Sequence, residues 1–240
     1  MPQTTPLPFF PFPTPLQAGV LRSRYKRFFA EITLASGETI TAHCPNTGPM
    51  TGISEVGSPV WVSYHTDPKR KLAYTWELIE ADGVLVGVNT GLPNRVMEMG
   101  FRQGWFPEWL GLHHVQREVP YGQSRLDFCL TLADQSQVYV EIKNTTWSQG
   151  SLVLFPDTVT TRGQKHLQEL TAMVQQGQRA ALVYFIPRGD CDHFAPGAER
   201  DPVYARLFRA AMQAGVEMLP YRFQASPQGL TFIGLAKVAD

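Results

Sequence analysis

Residues 124–144 read SRLDFCLTLADQSQVYVEIKN, and apolar and polar side chains alternate along both halves of this stretch. The apolar positions are Leu126, Phe128, Leu130 and Leu132 in the first half and Val138, Val140 and Ile142 in the second. Alternation with a period of two is typical of half-buried β-strands. Because the polar run 133–137 between the halves is typical of a turn, we predict an antiparallel hairpin.

The predicted hairpin brings Asp127, Glu141 and Lys143 to its other face. A short loop over 133–135 would place Asp127 opposite Glu141, and a shift by two residues would place it opposite Lys143. Like charges directly opposite destabilise a sheet, and Mg²⁺ or Mn²⁺ bound by Asp127 and Glu141 would remove that repulsion. Such an ion can activate water for phosphodiester hydrolysis, with Lys143 stabilising the developing charge. An ordinary solvated hairpin face is the alternative that the spacing leaves open.

The rest of the chain divides into a strand-rich part and a mixed part. In 16–89, short alternating runs separated by turn signals predict an OB-fold-like β-barrel. In 90–240, helices are predicted at 92–103, 162–176 and 202–213, and the apolar run 179–186 predicts a strand buried on both faces. We therefore predict a two-domain α/β (α+β) protein with domains 16–89 and 90–240. Residues 1–15 are too rich in proline for regular structure, and we expect an extended segment there.

Two basic clusters in the predicted barrel are candidates for binding nucleic acid. The residues are Arg22, Arg24, Tyr25, Lys26 and Arg27 in the first cluster and Lys69, Arg70 and Lys71 in the second. Cations beside aromatic rings suit single-stranded nucleic acid, because the cations neutralise phosphates and the rings stack on bases. The alternative is that the aromatic rings fill the barrel and the cations keep its rim soluble.

Composition restricts the possible partners. The chain has 21 Lys and Arg and 21 Asp and Glu, so a formal net charge of zero gives no global attraction to nucleic acid or membranes. The three cysteines are widely spaced and lack a CxxC pair, which favours reduced thiols. We expect a cytoplasmic protein, because no signal-peptide pattern or membrane-length apolar run is present. No obligate protein partner is evident.

A series of segments resembles the sugar fermentation stimulation protein A (SfsA) family, in order from about residue 16 to the end. The segments are RYKRF (24–28), HCPNTG (43–48), DPKRKL (67–72), YTWE (74–77), VNT (88–90), LPNR (92–95), RE (117–118), SRLDF (124–128), VEIKN (140–144), FPD (155–157) and TRGQKHL (161–167). That family is described as DNA-binding. The order helix, three strands, helix, strand also resembles the PD-(D/E)XK nuclease core. The resemblance implies an OB-fold-like barrel followed by a PD-(D/E)XK nuclease-like α/β sandwich.

The resemblance also implies roles for individual residues. It places in the nuclease site Asp127, Glu141, Lys143, Glu98 and Gln164. Glu98 would supply an additional acid from the preceding helix, and Gln164 and Lys165 would lie near a phosphate. Leu126 stands where the motif has proline. The literal Pro-Asp pair at 156–157 follows the Glu-Ile-Lys segment, in the wrong order for the hairpin role.

Two functions follow from these features. The first is a DNA-binding protein with a metal-dependent phosphodiesterase, or nuclease, site. The alternative is a non-catalytic DNA-binding regulator of sugar metabolism that retains a nuclease fold, since a fold alone does not establish chemistry. An intact acid–acid–lysine set favours the first, and the zero net charge favours the second.

Overall fold

The protein is represented by a computed structural model that describes residues 6–122 and 124–239. The strands are β1 (Phe9–Pro11), β2 (Gln17–Tyr25), β3 (Phe29–Leu34), β4 (Thr39–His43), β5 (Pro59–Tyr64), β6 (Tyr74–Ala81), β7 (Val84–Gly87), β8 (Leu112–Tyr121), β9 (Ser124–Leu132), β10 (Gln137–Asn144), β11 (Trp147–Gln149), β12 (Leu152–Phe155), β13 (Arg179–Ile186), β14 (His193–Pro196), β15 (Glu217–Ser226), β16 (Gly229–Leu235) and β17 (Lys237–Val238). The α-helices are α1 (Pro93–Gln103), α2 (Thr161–Gln175) and α3 (Pro202–Ala214). None of these helices is long and apolar enough to cross a membrane.

The first large unit is the barrel that the sequence predicts. Its strands follow the order β4-β3-β2-β5-β6-β7, and β4 also pairs in parallel with β6, which closes the sheet on itself. The alternation of β3, from Phe29 to Leu34, places every second side chain in the barrel core with Leu21, Val62 and Trp76. This is the Greek-key arrangement of an OB-fold.

The second unit is a seven-stranded sheet with helices on both faces. Its order is β1-β16-β15-β13-β10-β9-β8, with β10, β13 and β15 parallel and the outer pairs antiparallel. Helix α1 packs on one face, and α2 and α3 pack on the other. Central strand β13 sends Val183 to the α1 side and Leu182 to the α2 side, which confirms the prediction of a strand buried on both faces.

A small four-stranded sheet, β11-β12-β14-β17, was not predicted. The segment through Gly150 contains the β11–β12 hairpin of this sheet. Strands of three or four residues are too short to show a period, so local alternation could not reveal them.

The expectation that residues 1–15 have no regular structure was wrong for Phe9–Pro11. These residues form an edge strand, β1, that pairs antiparallel with Gly229–Thr231 of β16. An edge strand tolerates proline, because one row of its N–H groups needs no partner. Phe10 is buried in the core on the α1 side. Residues 1–5 lie outside the described residues.

The barrel and the seven-stranded sheet pack against each other. Leu78 of β6 belongs to the core on the α1 side of the sheet. Gly87 N–H donates to the Pro187 carbonyl over 2.9 Å, and Thr90 Oγ1 donates to the Pro45 carbonyl over 2.9 Å. The division of the chain at residues 89–90 stays a prediction. The link that contains it brings Thr90 and Gly91 to the edge of the central hairpin.

The central hairpin adopts the first of the two predicted registers. Gln137 pairs with Thr131 and Val140 pairs with Phe128, and the same register leads to Asp127 opposite Glu141. The loop 133–135 is closed by a hydrogen bond from the Leu132 N–H to the Ser136 carbonyl over 2.9 Å.

The prediction that Leu126 shares a face with Phe128 was wrong. Leu126 packs with Leu167 and Leu170 of α2, whereas Phe128 lies in the core on the α1 side. The change of face coincides with a break in the strand ladder at Asp127, which a strict period of two cannot show.

Candidate functional site

Asp127 lies where the pairing of β9 is interrupted. The β8–β9 pairs pass from Arg117–Phe128 directly to Val119–Leu126, and Glu118, between them, has a φ of 53°. Ile142 N–H donates to Asp127 Oδ2 over 2.8 Å in place of a ladder bond. The side chain thus replaces a backbone partner, which fixes its orientation at the opening between β9 and β10.

Helix α1 holds the other oxygen of this carboxylate. Asn94 Nδ2, one residue after the proline that starts the helix, donates to Asp127 Oδ1 over 2.7 Å. The segment Leu92-Pro93-Asn94 was predicted only as a helix start, so the contribution of Asn94 to the site was missed. A polar side chain in the first turn of a helix gives no signal in sequence that separates capping from contact with a distant strand.

Glu141 lies on β10 and is 4% exposed. Lys143 Nζ donates to Glu141 Oε1 over 2.7 Å, and His166 Nδ1 of α2 lies 2.5 Å from the same oxygen. His166 Nδ1 also lies 3.1 Å from Lys143 Nζ, so the carboxylate, the ammonium group and the imidazole form one buried cluster. Glu141 Oε2 is buried and has no hydrogen-bond partner among the described residues.

The two carboxyl groups have opposite pKa shifts. Burial and the negative charge of Glu141 raise the pKa of Asp127 to about 6, against the hydrogen bonds from Ile142 and Asn94. Burial alone would raise the pKa of Glu141, but the hydrogen bond with His166 and the charge of Lys143 outweigh it and lower that pKa. Opposite environments for paired carboxyl groups are common at functional sites.

These side chains line an open cleft of about 400 Å³ between the link at Thr90–Gly91 and the start of α2. Arg117 and Arg162 also line it. The structure therefore brings Asp127, Glu141 and Lys143 together with two arginines. Hard oxygen ligands beside cations suit a divalent ion and a phosphate group.

Glu98 and Gln164 do not line this cleft. Glu98 forms ion pairs with Arg102 (2.9 Å) and with Arg117 (3.1 Å). It is therefore connected to the cleft only through Arg117. Gln164 Nε2 donates to both oxygens of Asp201, over 2.9 and 3.0 Å, and so joins the starts of α2 and α3.

Lys165 lines a neighbouring groove and lies 3.6 Å from Glu169. The residue of α2 that reaches the carboxylates is instead His166, which is 2% exposed. A signal for its burial was present in the sequence, because His166 lies on the apolar face of the helix with Leu167 and Leu170. Metal-ligand spacing, which is the usual sequence signal of a functional histidine, cannot detect a histidine that contacts a carboxylate.

The first basic cluster of the barrel surrounds the β2–β3 turn. Arg24 is directed inward, and its Nη2 donates to the carbonyls of Asn46 and Gly48, each over 2.9 Å. Arg22 Nε donates to Thr33 Oγ1 over 2.8 Å. These bonds hold the loop after β4 and the β2–β3 pair, so both guanidinium groups have partners within the chain.

The exposed part of that cluster is the turn itself. Lys26 and Arg27 have φ values of 49° and 65° and are exposed. Neither makes an ion pair within residues 6–122 and 124–239. Tyr25 stacks on Phe29 with ring centroids 5.4 Å apart. The Tyr25 ring is exposed, and its other face is open to a stacking partner.

The second basic cluster lies in the β5–β6 loop. Lys69 and Lys71 are exposed, and Arg70 donates to the Leu72 carbonyl (3.3 Å) and to Thr75 Oγ1 (2.7 Å). Strand pairing places this loop near the β2–β3 turn.

The pairings that show this proximity run across one end of the barrel. They are Phe29 with His43, His43 with Thr75 and Tyr64 with Tyr74. The two basic clusters therefore share one end of the barrel, although Lys69 follows Arg27 by 42 positions in sequence. Neither cluster lines the cleft.

The remaining candidates for metal or thiol chemistry are structural. Cys44, Cys129 and Cys191 are free and buried. Within the described residues, no group of three or more His, Cys, Asp or Glu side chains is placed to hold a metal ion. Asp157, of the literal Pro-Asp pair, lies near the backbone N–H groups of Met50 and Thr51 and does not line the cleft with Asp127.

The fold and the cleft define a two-domain class, in which an OB barrel precedes an α/β domain with an acid–acid–lysine hairpin. Two domain families match the chain: the SfsA N-terminal OB domain over residues 23–88 and the sugar fermentation stimulation protein RE domain over residues 91–229. The chain belongs to the sugar fermentation stimulation protein family.

Relatives match over nearly the whole chain. The sugar fermentation stimulation protein homolog of Synechococcus sp. (strain JA-3-3Ab) is 61% identical over 238 residues, which are 99% of each chain. The homolog of Thermosynechococcus vestitus is 60% identical and covers 96% of this chain and 98% of its own. The structure of Pyrococcus furiosus SfsA in complex with Ca²⁺ is 24% identical, covers 99% of this chain and 100% of its own, and superposes with a TM-score of 0.88. It supports the two-domain fold.

Proposed function

We propose that this protein binds DNA and hydrolyses phosphodiester bonds in the cleft, with Mg²⁺ or Mn²⁺ held by Asp127 and Glu141. The observation that carries the proposal is Glu141 Oε2, which is buried without a hydrogen-bond partner among the described residues. A buried polar atom without a partner costs about 1–3 kcal/mol, and more when it is charged. A divalent cation between this oxygen and Asp127 would offset that cost.

The residues present fit such an ion. Mg²⁺ binds carboxylate oxygens and keeps several waters, so one or two protein carboxylates suffice. The described residues contain no group of three or more His, Cys, Asp or Glu side chains placed to hold a metal ion. Water molecules would therefore complete the coordination of an ion held by these two carboxylates. The Ca²⁺ in the Pyrococcus furiosus SfsA complex supports a divalent cation in this family.

The residues around the ion would divide the work of hydrolysis. When bound, a divalent cation acidifies water and polarises a phosphoryl oxygen. Lys143, which is 12% exposed at its side chain and lines the cleft, donates to the phosphate as negative charge develops. Arg117 and Arg162 bind the non-bridging oxygens of the phosphate. Glu98 positions Arg117 by its ion pair.

The remaining residues keep this arrangement fixed. Asn94 and the Ile142 N–H orient Asp127, and His166 and Lys143 together hold one oxygen of Glu141. Rigid placement of this kind lowers the reorganisation needed at the moment of reaction. Gln164 supports the start of α2 through Asp201 and thereby the position of His166.

The barrel would contribute a second contact with DNA. Its exposed cations at one end are Lys26, Arg27, Lys69 and Lys71. Tyr25 adds an exposed ring there, and Arg22, Arg24 and Arg70 hold the loops in place. Exposed cations beside a stacking ring are suited to a nucleic-acid strand.

One observation favours the alternative of a non-catalytic DNA-binding regulator. Lys143 already pairs with Glu141 Oε1 and His166 contacts the same oxygen, so the charge of Glu141 is partly compensated without an ion. In that case, the cleft would bind the DNA backbone and perform no chemistry.

A cleavage assay separates the two functions. Wild type, Asp127→Ala, Lys143→Ala and the exposed-site control Asp192→Ala are incubated with mixed single- and double-stranded DNA and RNA, with Mg²⁺, Mn²⁺ or EDTA. We expect metal-dependent cutting of DNA by wild type and Asp192→Ala and at least a hundredfold loss in the two cleft variants. Binding without cutting under every metal condition would support the regulator instead.

A further inference from the structure

A second groove continues the cleft beyond the start of α2. It has a volume of about 440 Å³ and is lined by Ser124, Arg125, Thr161, Arg162, Lys165 and His166. We name this the α2 groove. Arg162 lines both the cleft and the α2 groove, so the two hollows are continuous on either side of one side chain.

The cations of the α2 groove are weakly compensated. Arg162 has no ion-pair or hydrogen-bond partner within the described residues. Arg125 lies 3.6 Å from Glu118, with both side chains more than half exposed, and Lys165 lies 3.6 Å from Glu169. Exposed pairs of this kind contribute about 0–1 kcal/mol, so a phosphate can replace the carboxylate at little cost.

The helix adds to this positive charge. Arg162 lies in the first turn of α2 and Lys165 follows in the next, and the first turn has no acidic residue. A helix start carries a partial positive charge that favours acidic side chains, so cations there are placed against the preference of the helix itself. An anion bound in the groove would offset the unfavourable interaction between these cations and the positive start of the helix.

The other end of the cleft is different. Through Thr90 and Asn144 it opens into a hollow of about 160 Å³, which also contains Asn46 and Trp147. No Lys or Arg side chain of the described residues lines this hollow. The positive charge therefore does not continue toward this end. Beyond Arg117, a further hollow also contains Arg95 and Arg102, but Glu98 pairs there with both Arg102 and Arg117.

We propose that the α2 groove binds the phosphodiester backbone of the strand that leaves the cleft. Phosphates next to the one at Asp127 and Glu141 then contact Arg162, Arg125 and Lys165. The identity of the polyanion as nucleic acid rests on the proposed function. A concave groove that adjoins the cleft and is lined by three separate cations fits a thin, regularly charged strand better than a flat anionic membrane.

Binding of a labelled single-stranded oligonucleotide tests this assignment in the full-length protein, in EDTA so that no cutting occurs. The double variant R125A/R162A is compared with R206A/R209A, which removes two exposed arginines of α3 without ion pairs among the described residues. We expect a Kd at least tenfold higher for R125A/R162A and a Kd within twofold of wild type for R206A/R209A. The slope of log K against log salt should fall by about 1.4 in magnitude for two lost single-strand phosphate contacts.

Far-ultraviolet circular dichroism shows whether each variant is folded, and a third variant, Lys165→Ala, tests the groove with a single substitution. Lys165→Ala should lower the slope by about 0.7, because it removes one contact. Wild-type affinity and slope in R125A/R162A would overturn the assignment, and so would equal losses in both double variants. It would also be overturned if the same variants lost binding to anionic vesicles but not to the oligonucleotide.

The outcomes separate this inference from the proposed hydrolysis. If wild type cuts no substrate but R125A/R162A and Lys165→Ala both lose affinity, the nuclease proposal fails and the groove assignment stands, because Lys165 lines the α2 groove and not the cleft. If wild type cuts DNA and R125A/R162A binds and cuts as well as wild type, the groove assignment fails together with the role of Arg162 in the cleft, and the roles of Asp127, Glu141 and Lys143 stand. If wild type binds no nucleic acid, both fail.

Discussion

At the residue scale, the environment of Asp127 disfavours the charged form of its carboxyl group. Its pKa of about 6 in the folded protein exceeds its ordinary value of 3.8, because it is buried beside Glu141. The folded state therefore binds more protons than the unfolded state between these pH values. The free energy of unfolding contributed by this carboxyl falls as pH rises through that interval.

Replacing Asp127 by Asn should stabilise the metal-free protein at neutral pH. Each pKa unit corresponds to about 1.4 kcal/mol, and solvent reaching this partly exposed group reduces the effect to about 1–2 kcal/mol at pH 7.5. The gain should vanish near pH 4. Urea unfolding in EDTA at the two pH values measures it, with Asp192→Asn as the control. A destabilised Asp127→Asn at pH 7.5 would contradict the assigned environment.

His166 offers a second test at this scale. His166→Ala removes a hydrogen bond to Glu141 Oε1 and should weaken Mn²⁺ binding by about tenfold to a hundredfold, as loss of an outer partner of a metal ligand does elsewhere. His166→Gln keeps an N–H donor and should recover part of the affinity. His193, which is exposed, provides the control substitution. Unchanged Mn²⁺ affinity in folded His166→Ala would exclude this positioning role.

The charged residues at the centre of the cleft could be predicted because their arrangement is local. Asp127, Glu141 and Lys143 follow from alternation within one hairpin, and the shorter loop selects their register. Asn94 and His166 reach the cleft from helices, 33 and 25 residues away in sequence from the carboxylates they contact. Such contacts depend on how helices pack on the sheet, which periodicity does not determine.

At the element scale, β1 shows how sheet pairing overrides local composition. The proline-rich start has weak strand propensity, but β16 offers an unpaired edge with Gly229 opposite Pro11. Gly229 leaves room there, because a Cβ on it would lie 2.1 Å from the Phe10 carbonyl oxygen. The strand exists through a partner more than 200 residues away, which no local window contains.

The two phenylalanines of β1 should therefore differ in their effect on stability. Phe10→Ala removes a ring that is 4% exposed and lies under Arg95, and it should lower the free energy of unfolding by about 3 kcal/mol. Phe9 is 40% exposed, so Phe9→Ala should cost less than about 1 kcal/mol. Urea denaturation followed by tryptophan fluorescence compares them. Equal effects would mean that β1 is not docked as described.

At the scale of the whole molecule, the barrel and the sheet domain share a core. Leu78 extends from the barrel into the core beside α1, and Asp157 lies near the backbone of Met50 and Thr51 in a barrel loop. A shared core couples the unfolding of the two domains. Two separate domains could be predicted from composition, but this contact between them could not.

The two domains should therefore unfold in one transition. Calorimetry of the full-length protein should show a single peak, and Leu78→Ala should lower the whole peak, with a loss of about 2–5 kcal/mol. Leu110→Ala is the control, because Leu110 is 78% exposed. Two resolved peaks, or a Leu78→Ala effect limited to one of them, would contradict a common core.

The central claim is that Asp127 and Glu141 hold a divalent cation, and isothermal titration of Mn²⁺ tests it most directly. Wild type and Asp192→Ala should each bind one Mn²⁺ in the cleft, and Asp127→Ala should bind at least a hundredfold more weakly. Circular dichroism confirms that the variant is folded. Equal Mn²⁺ binding by wild type and Asp127→Ala, or no binding by either, would contradict the claim and leave the cleft as a binding surface only.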